Sequence, residues 1–421
     1  MKHKPYPKYK DSGVEWLGEV PEEWEVRKLK WAYKGIKSGD GISPDDIEPI
    51  GTFPVFGGNG IMGYAENFNV IGEDIIIGRV GAKCGNVYLV FGKKWVSDNA
   101  LILNIGQVDK KYLAHVLIAR NLNQLANQNA QPLITGSMVG NQYVPLPHFS
   151  EQQAIAGYLD RKTAKIDALI DKKQDLVKRL QEKRSALISH AVTKGINPKV
   201  KMKPSGVEWL GEVPEGWGVW KIGHLAIKIG SGKTPNGGAD VYQEEGILFI
   251  RSQNVYDNGL RLEDAVFIDN EIDSGMAWSR VQPLDVLLNI TGASLGRTCI
   301  VPDSVLPANV NQHVCIIRMR NKEYAEYVSW YLKSKLAKNF FDNVQNGSAR
   351  EGLNFKQISD ISTPLPPFPE QQAITAFLEQ ETSKFDMLID KVEEAIKKLK
   401  EYRSALISAA VTGKIDVRDF L

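Results

Sequence analysis

The pentapeptide "GSGKT" (Gly230–Thr234) carries the residue types that cradle a phosphate: glycines that let backbone N–H groups converge, a lysine for charge and a hydroxyl for a metal. Its spacing defeats that chemistry. In GxxxxGK[ST] the first glycine would fall at Ile227, and Pro235 with "NGG" follows where a helix should begin. The matching loop nearer the start of the chain reads "SGDG", with Asp40 opposite Lys233. Carboxylates of the nuclease kind fare no better. Asp45 and the "DKK" at Asp109 lie 64 residues apart, and Asp109 is placed to cap a helix. Cys84, Cys299 and Cys315 form no CxxC pair, so neither a disulfide framework nor a zinc site is expected. No Ser/His/Asp or metal-ligand cluster stands out.

"FGGNG" (Phe56–Gly60) fits the FxGxG loop of amino-methyltransferases, which also need an [ND]PP[YF] loop to hold the target amine. The nearest match, "LPPF" (Leu365–Phe368), has Leu365 where Asn or Asp is required, and a glycine turn beside Pro54 explains "FGGNG" more simply. The chain is therefore expected to be no enzyme and to hold no metal or cofactor of its own. Its 421 residues, 43% hydrophobic and 24% charged, suit a globular protein of two or three domains. No apolar run approaches the roughly eighteen residues of a membrane span, and "MKHKPYPKYK" lacks the apolar stretch of a secretory signal. A cytoplasmic location is expected. The formal charge of +2 points to no partner.

The frame that must position any working residue is duplicated. "SGVEWLGEVPEEW" (Ser12–Trp24) returns as "SGVEWLGEVPEGW" (Ser205–Trp217), an offset of 205 − 12 = 193. "PLPHFSEQQAI" (Pro145–Ile155) returns as "PLPPFPEQQAI" (Pro364–Ile374), and "RSALISHAVTKGI" (Arg184–Ile196) as "RSALISAAVTGKI" (Arg403–Ile415), both at an offset of 219. The second middle is thus 219 − 193 = 26 residues longer. "DIIIGRVGAKCGN" (Asp74–Asn86) still parallels "DVLLNITGASLGR" (Asp285–Arg297), each a strand, a glycine turn and a second strand. Each middle reads as a mixed α/β domain with one core.

After each middle comes a long helix. Ser150 with Gln153 forms an S-x-x-Q capping box, and Gly195 is placed to end the first helix. An apolar seam is predicted along Ile155, Leu159, Ile166, Leu169, Leu176, Leu180 and Leu187. The second helix repeats it along Ile374, Leu378, Phe385, Leu388, Val392, Ala395, Leu399, Tyr402, Leu406 and Ala409. The expected fold class is α+β: two mixed α/β globular domains separated by two long helices forming an antiparallel coiled coil, with an internal pseudo-two-fold. The segments are a repeated stretch at 1–23, a domain at 24–148, a helix at 149–196, a repeated linker at 197–216, a domain at 217–368, a helix at 369–415 and a tail at 416–421.

The two "GVEWLGEVP" phrases, the two "EQQAI" helix starts and the two "RSALIS.AVT" helix ends resemble the DNA-specificity subunit of type I restriction–modification systems. "GSGKTP" (Gly230–Pro235), "LFIRSQNV" (Leu248–Val255), "DVLLNITGASLGR" and "NVNQHVCII" (Asn309–Ile317) carry the resemblance further, in the family's order. The first domain lacks the "SGKTP" and "FIRS" phrases. The resemblance implies two target-recognition domains, each reading one half of a split double-stranded DNA site, with the helices setting the gap. It also implies partners: methyltransferase subunits, two of them expected, that bring S-adenosylmethionine, and a translocase–nuclease that brings ATP hydrolysis with Mg. A coiled-coil scaffold that binds only proteins, or a self-sufficient DNA methyltransferase, is the competing reading.

DNA contact would suit Arg for guanine and Asn or Gln for adenine. The candidates in the second domain are Arg251, Gln253 and Asn254 in "IRSQN", then Arg297, Asn311, Gln312, His313 and Arg350. In the first they are Asn59, Arg79, Lys83, Asn99, Asn129 and Gln131. Each has a competing role as a solvated or fold-stabilising loop residue. Trp16, Leu17, Trp209, Leu210, Glu151 and Glu370 are candidates for docking partner subunits, although packing on a helix end would explain the tryptophans equally.

Overall fold

The structure is a computed structural model in which residues 4–81, 83–126, 132–345 and 352–420 are described. The chain forms two compact units, Met1–Gln174 with Glu393–Leu421, and Asp175–Val392. Four helices make two matched pairs, one short and one long: α1 (Lys110–Arg120), α2 (Phe149–Lys194), α3 (Ala325–Lys333) and α4 (Phe368–Val411).

The first unit is built on β1 (Tyr33–Ser38), β2 (Phe53–Gly57), β3 (Asp74–Gly78), β4 (Val87–Val90), β5 (Lys93–Val96) and β6 (Ala100–Ile105). One antiparallel sheet runs β1-β6-β3-β4, and in a second sheet β2 pairs parallel with β5. The second unit repeats this with β7 (Ala226–Ser231), β8 (Ile247–Ile250), β9 (Val286–Asn289), β10 (Thr298–Ile300), β11 (Ala308–Val310) and β12 (Val314–Met319). Its antiparallel sheet runs β7-β12-β9-β10, and β8 pairs parallel with β11. The topology is the same although the two middles share little sequence.

The uninterrupted apolar runs follow from burial on both faces. Ile75, Ile76 and Ile77 are all fully buried. In the second unit the strand period of two divides the run. Leu287 and Ile316 pack with Leu248, Ile250 and Val310 of the other sheet. Val286, Leu288 and Ile317 pack with Tyr327, Val328 and Tyr331 of α3 and with Ile188, Val192 and Ile374 of the long helices.

Each middle enters and leaves through one antiparallel strand pair. Glu25–Lys28 pairs with Tyr143–Leu146, and Gly218–Lys221 pairs with Ser362–Leu365. With its ends fixed there, a domain can change length inside without disturbing the frame. The offset is already 285 − 74 = 211 at β9, so 211 − 193 = 18 of the 26 extra residues lie before it. There the second unit adds a hairpin (Val255–Tyr256 with Gly259–Leu260) and a short helix, Asn270–Gly275, while its strand Val266–Ile268 lies antiparallel beside β8 as Gly60–Ala65 lies beside β2.

The long helices correct the sequence reading in two places. Helix α2 begins at Phe149, so Ser150 lies inside its first turn and not at the N-cap that a capping box with Gln153 requires. Its buried neighbour Gln152 does related work: Nε2 donates to the Pro147 carbonyl at 2.8 Å and Oε1 accepts the Asp109 N–H at 2.9 Å. Gln371 repeats the first of these bonds with Pro366 at 2.8 Å. The seam is also displaced at four of its seventeen predicted positions. Leu159, Ile166, Leu378, Leu399 and Leu406 lie on the packed side as expected, but Leu169, Leu176, Leu388 and Tyr402 are exposed. Their places belong to the residues one position on, Ile170, Val177, Ile389 and Arg403, because an extra four-residue step onto buried Thr163 and Thr382 resets the phase before the alternation of three and four resumes.

Within each unit the helix segments run antiparallel. In the first, Asp167 of α2 takes a two-pronged contact from Arg403 of α4 at 2.8 and 3.1 Å. In the second, Arg184 of α2 meets Asp386 of α4 at 2.9 Å. Adding 219 to Asp167 and Arg184 gives Asp386 and Arg403, so one bridge is written twice. Gly195 (φ 76°) and Gly413 (φ 70°) end the helices in the left-handed conformation that glycine adopts at little cost.

The repeated phrases fold as hairpins, Tyr9–Asp11 with Glu19–Pro21 and Met202–Pro204 with Glu212–Pro214. In the first unit the two ends of the chain meet beside one of them. Tyr9 Oη donates to the Gly413 carbonyl at 3.0 Å, and the Asp416 N–H donates to the Lys4 carbonyl at 2.9 Å.

Helix α1 is tied to α2 by charge. Asp160 accepts from His115 Nε2 at 3.0 Å and from Lys111 Nζ at 2.8 Å, and these partners, His115 foremost, hold its carboxyl down at about 2. A folded value below the unfolded one means stability present in full above about pH 4 and lost as pH falls toward the folded value. Asp160→Asn should lower stability at neutral pH and flatten the acid limb of thermal unfolding. The carboxylate is 38% exposed, so solvent screening limits the loss to about 1 kcal/mol.

Candidate nucleic-acid interface

At one edge of the first unit, loops from both sheets converge because glycines let backbones touch. A Cβ on Gly39 would lie 2.0 Å from the Val96 carbonyl oxygen, and one on Gly78 would lie 2.2 Å from that of Gly58. The Asp40 N–H donates to the Val96 carbonyl at 3.0 Å and the Arg79 N–H to the Asn99 carbonyl at 2.9 Å. Asn59, Arg79, Lys83 and Asn99 thus share one rim, with Asn59, Lys83 and Asn99 exposed. Arg79 is half-buried and donates to the Asp98 carbonyl at 3.2 Å. Asn129 and Gln131 lie outside the described residues.

The second unit builds the same rim. Gly232, which is Gly39 plus 193, would place a Cβ 1.6 Å from the Val310 oxygen, and its N–H donates to the Asn311 carbonyl at 3.1 Å. Asn289 Nδ2 reaches the Ser252 carbonyl at 2.7 Å, and the Ile290 N–H reaches that of His313 at 3.0 Å. Arg251, Gln253, Asn254, Arg297, Asn311, Gln312 and His313 all come to this edge. They do not all face outward. Asn254 is buried, with Oδ1 taken by the Arg251 N–H and Nδ2 by the Arg261 carbonyl, so it fastens the turn. Asn311 is buried too, and its Oδ1 accepts the His313 N–H at 3.1 Å. Arg350 lies outside the described residues.

Sequence reasoning named Arg297 but missed Arg261, which joins it at the rim. The Arg261 and Arg297 guanidiniums lie 3.9 and 4.5 Å from the centre of the Tyr256 ring. The neighbouring carboxylate, Asp257, is already engaged, by the Thr298 N–H at 3.0 Å and by Lys338 Nζ at 2.7 Å. The signal was present in "YDNGL", since Asn-Gly between short apolar stretches marks a hairpin that sets Tyr256 near Arg261. Two guanidiniums on one ring, beside exposed amides, can hold an anion and hydrogen-bond flat acceptors.

The sequence profile described as "Type I restriction modification DNA specificity domain" matches residues 21–179 and 214–398. The chain belongs to that family. Each match covers one repeat, so this is a specificity chain with two such domains. Over 430 residues it is 23% identical to the putative type I restriction enzyme MjaX specificity subunit of Methanocaldococcus jannaschii, covering 96% of each chain. It is 24% identical to the type I restriction enzyme EcoBI specificity subunit of Escherichia coli, covering 83% of this chain and 75% of that one. A solved structure described as "Structural basis underlying complex assembly and conformational transition of the type I R-M system" has the same fold, with a TM-score of 0.67 at 17% identity, covering 93% of this chain and 98% of that chain.

The two specificity domains differ where they are alike in plan. Arg297 of the second stands where the first has Asn86, whose Nδ2 lies 3.3 Å from Tyr88 Oη. The first domain, short of the "SGKTP" and "FIRS" phrases, still makes the same strands and the same glycine contact. The decoy motifs resolve as structure. Ser231 ends β7 and the next element is a single 3-10 turn at Gly238–Val241, while "FGGNG" is the turn between β2 and the strand Gly60–Ala65. Among the described residues no cluster of His, Cys, Asp and Glu could hold a metal ion, and no helix is long and apolar enough to cross a membrane.

The docking candidates are largely occupied within the chain. Leu17 and Leu210 are buried. Glu151 accepts from Tyr6 Oη at 2.8 Å, and Glu370 from Trp217 Nε1 at 3.0 Å. Trp16 is half-buried with its ring 5.9 Å from Arg120, whereas Trp209, against Phe340 at 5.8 Å, keeps 36% of its surface exposed.

Proposed function

We propose that this specificity chain reads a bipartite, asymmetric DNA target, one half-site per domain, with the long helices setting the untouched spacer. One observation carries the reading: a duplicated frame presents two rims built on the same core strand order, with different side chains and a hairpin of the second unit's own. Such a pair suits a duplex that offers equivalent groove faces about one helical turn apart. The chain does no chemistry itself in this reading. It works in the cytoplasm with methyltransferase subunits that bring S-adenosylmethionine, and with a translocase–nuclease that uses ATP and Mg. Mapping methylated bases in cells that carry this chain and its methyltransferase tests the proposal: modification falls on a split site or it does not.

The rim arginines supply phosphate contacts in this reading. In the complex with methyltransferase, Arg261→Ala combined with Arg297→Ala should flatten the log affinity against log salt plot by about two counter-ions. Specific and unrelated duplexes should lose affinity alike, which titrations at several salt concentrations would show.

A further inference from the structure

Gln312 stands out among the rim side chains because it is exposed and yet fixed at both ends of its amide. Thr234 Oγ1 donates to its Oε1 at 2.5 Å, and its Nε2 contacts His313 Nε2 at 2.9 Å. An amide nitrogen only donates, so His313 Nε2 accepts. The imidazole proton then sits on Nδ1, which meets Thr291 Oγ1 at 2.6 Å. The His313 backbone is pinned as well, its N–H by buried Asn311 and its carbonyl by the Ile290 N–H. A chain of Thr234, Gln312, His313 and Thr291 therefore sets which way the amide points. A free glutamine would have to freeze its rotamers on meeting a ligand, whereas this one is frozen already.

We infer that Gln312 reads an adenine in the half-site of the second domain, and that Thr234 and His313 are its positioning residues; this rests on the reading of that domain as a DNA reader. The amide has two donor hydrogens and two acceptor lone pairs, and the network uses one of each. One donor and one acceptor remain. Adenine offers the complement in the major groove, an N7 acceptor beside an N6 donor. Guanine offers two acceptors there, so its O6 would face Oε1 with no proton between them. Cytosine offers only a donor and thymine only an acceptor beside a methyl group. A mobile glutamine could turn over to suit its partner, and the clamp on both amide atoms opposes that.

The test uses the whole complex, this chain with its methyltransferase, and genome-wide mapping of methylated positions. The native motif should hold an A·T pair at one position of the second domain's half-site. Gln312→Ala should cut discrimination there by about 10- to 100-fold, leaving the remaining positions and the other half-site unchanged. Gln312→Glu keeps the shape but presents only acceptors, so preference at that position should move toward cytosine. Thr234→Val should weaken the same position about threefold to tenfold, and Thr234→Ser should restore it, a pattern that loss of folding would not give. Unchanged discrimination in both Gln312 variants, or a change confined to a G·C position or to the first domain's half-site, would overturn the inference while the split motif stood. A native motif that is not split would overturn the bipartite reading instead, and this inference with it.

Discussion

Duplicating one heptad in each long helix should lengthen the gap between the two halves of the modified DNA site by about three base pairs, with the bases of each half unchanged. Seven residues of helix rise about 10 Å, and base pairs stack at about 3.4 Å. The insertion must be a whole heptad placed in both helices. Repeating residues 173–179 in α2 and residues 392–398 in α4 keeps the packed positions Val177, Leu180, Ile396 and Leu399 in phase. Two extra residues would instead turn the packed stripe through about 200° and expose it. The pairs Asp167–Arg403 and Arg184–Asp386 lie outside the duplicated stretches, so each unit keeps its own bridge. Methylation mapping of the variant reads the new spacer directly. An unchanged spacer would separate the helices from any role as a ruler.

The second large effect concerns stability. Trp217→Ala should destabilise the second unit by about 3–5 kcal/mol, the range for emptying a buried aromatic site. Trp217 is 2% exposed, sits edge-on to Tyr327 with ring centres 6.3 Å apart, and donates to Glu370. Its removal leaves both a cavity and a carboxylate without its donor. The repeated partner, Trp24, is equally buried but works differently. Its Nε1 has no partner among the described residues, and Glu151, in the place of Glu370, takes its bond from Tyr6. Trp217→Phe should therefore cost about 1–2 kcal/mol through the lost hydrogen bond, while Trp24→Phe loses no such bond and should cost less. Calorimetric unfolding of the four variants, the two phenylalanines with Trp217→Ala and Trp24→Ala, would separate volume from hydrogen bonding.

That contrast also marks what could be read in the sequence. The repeats placed Trp24 and Trp217 at equivalent sites, and their packing on the frame followed from that. The different partners of Glu151 and Glu370 did not, because one junction is closed by the chain ends at Tyr6 and Gly413 and the other by continuous chain through Gly195. The sheets were legible as apolar strand pairs such as "DIIIG" and "VYLV", the first a continuous run because it is buried on both faces. Parallel pairing of β2 with β5 was not, because those strands lie 36 residues apart between Gly57 and Lys93 and no turn joins them. The rim showed the same limit. Residue type brought Arg251, Gln312 and His313 forward as candidates, but only packing shows that Asn254 is spent on backbone and that Arg261 stacks on Tyr256. The seam error has a plain cause. In a surface helix leucine at a neighbouring position mimics the stripe, and only the partner helix decides between Leu169 and Ile170.

The most direct measurement of the central claim is a methylation map of cells carrying this chain and its methyltransferase, compared with cells in which residues 24–146 are replaced by a second copy of residues 217–365. Those bounds sit at the paired strands where each domain enters and leaves. The native chain should mark a site with two unlike halves at a fixed spacing. The variant should mark a site whose halves are inverted copies of the second domain's sequence, at the same spacing. Modification at one continuous sequence, or a variant that keeps both native halves, would contradict the account.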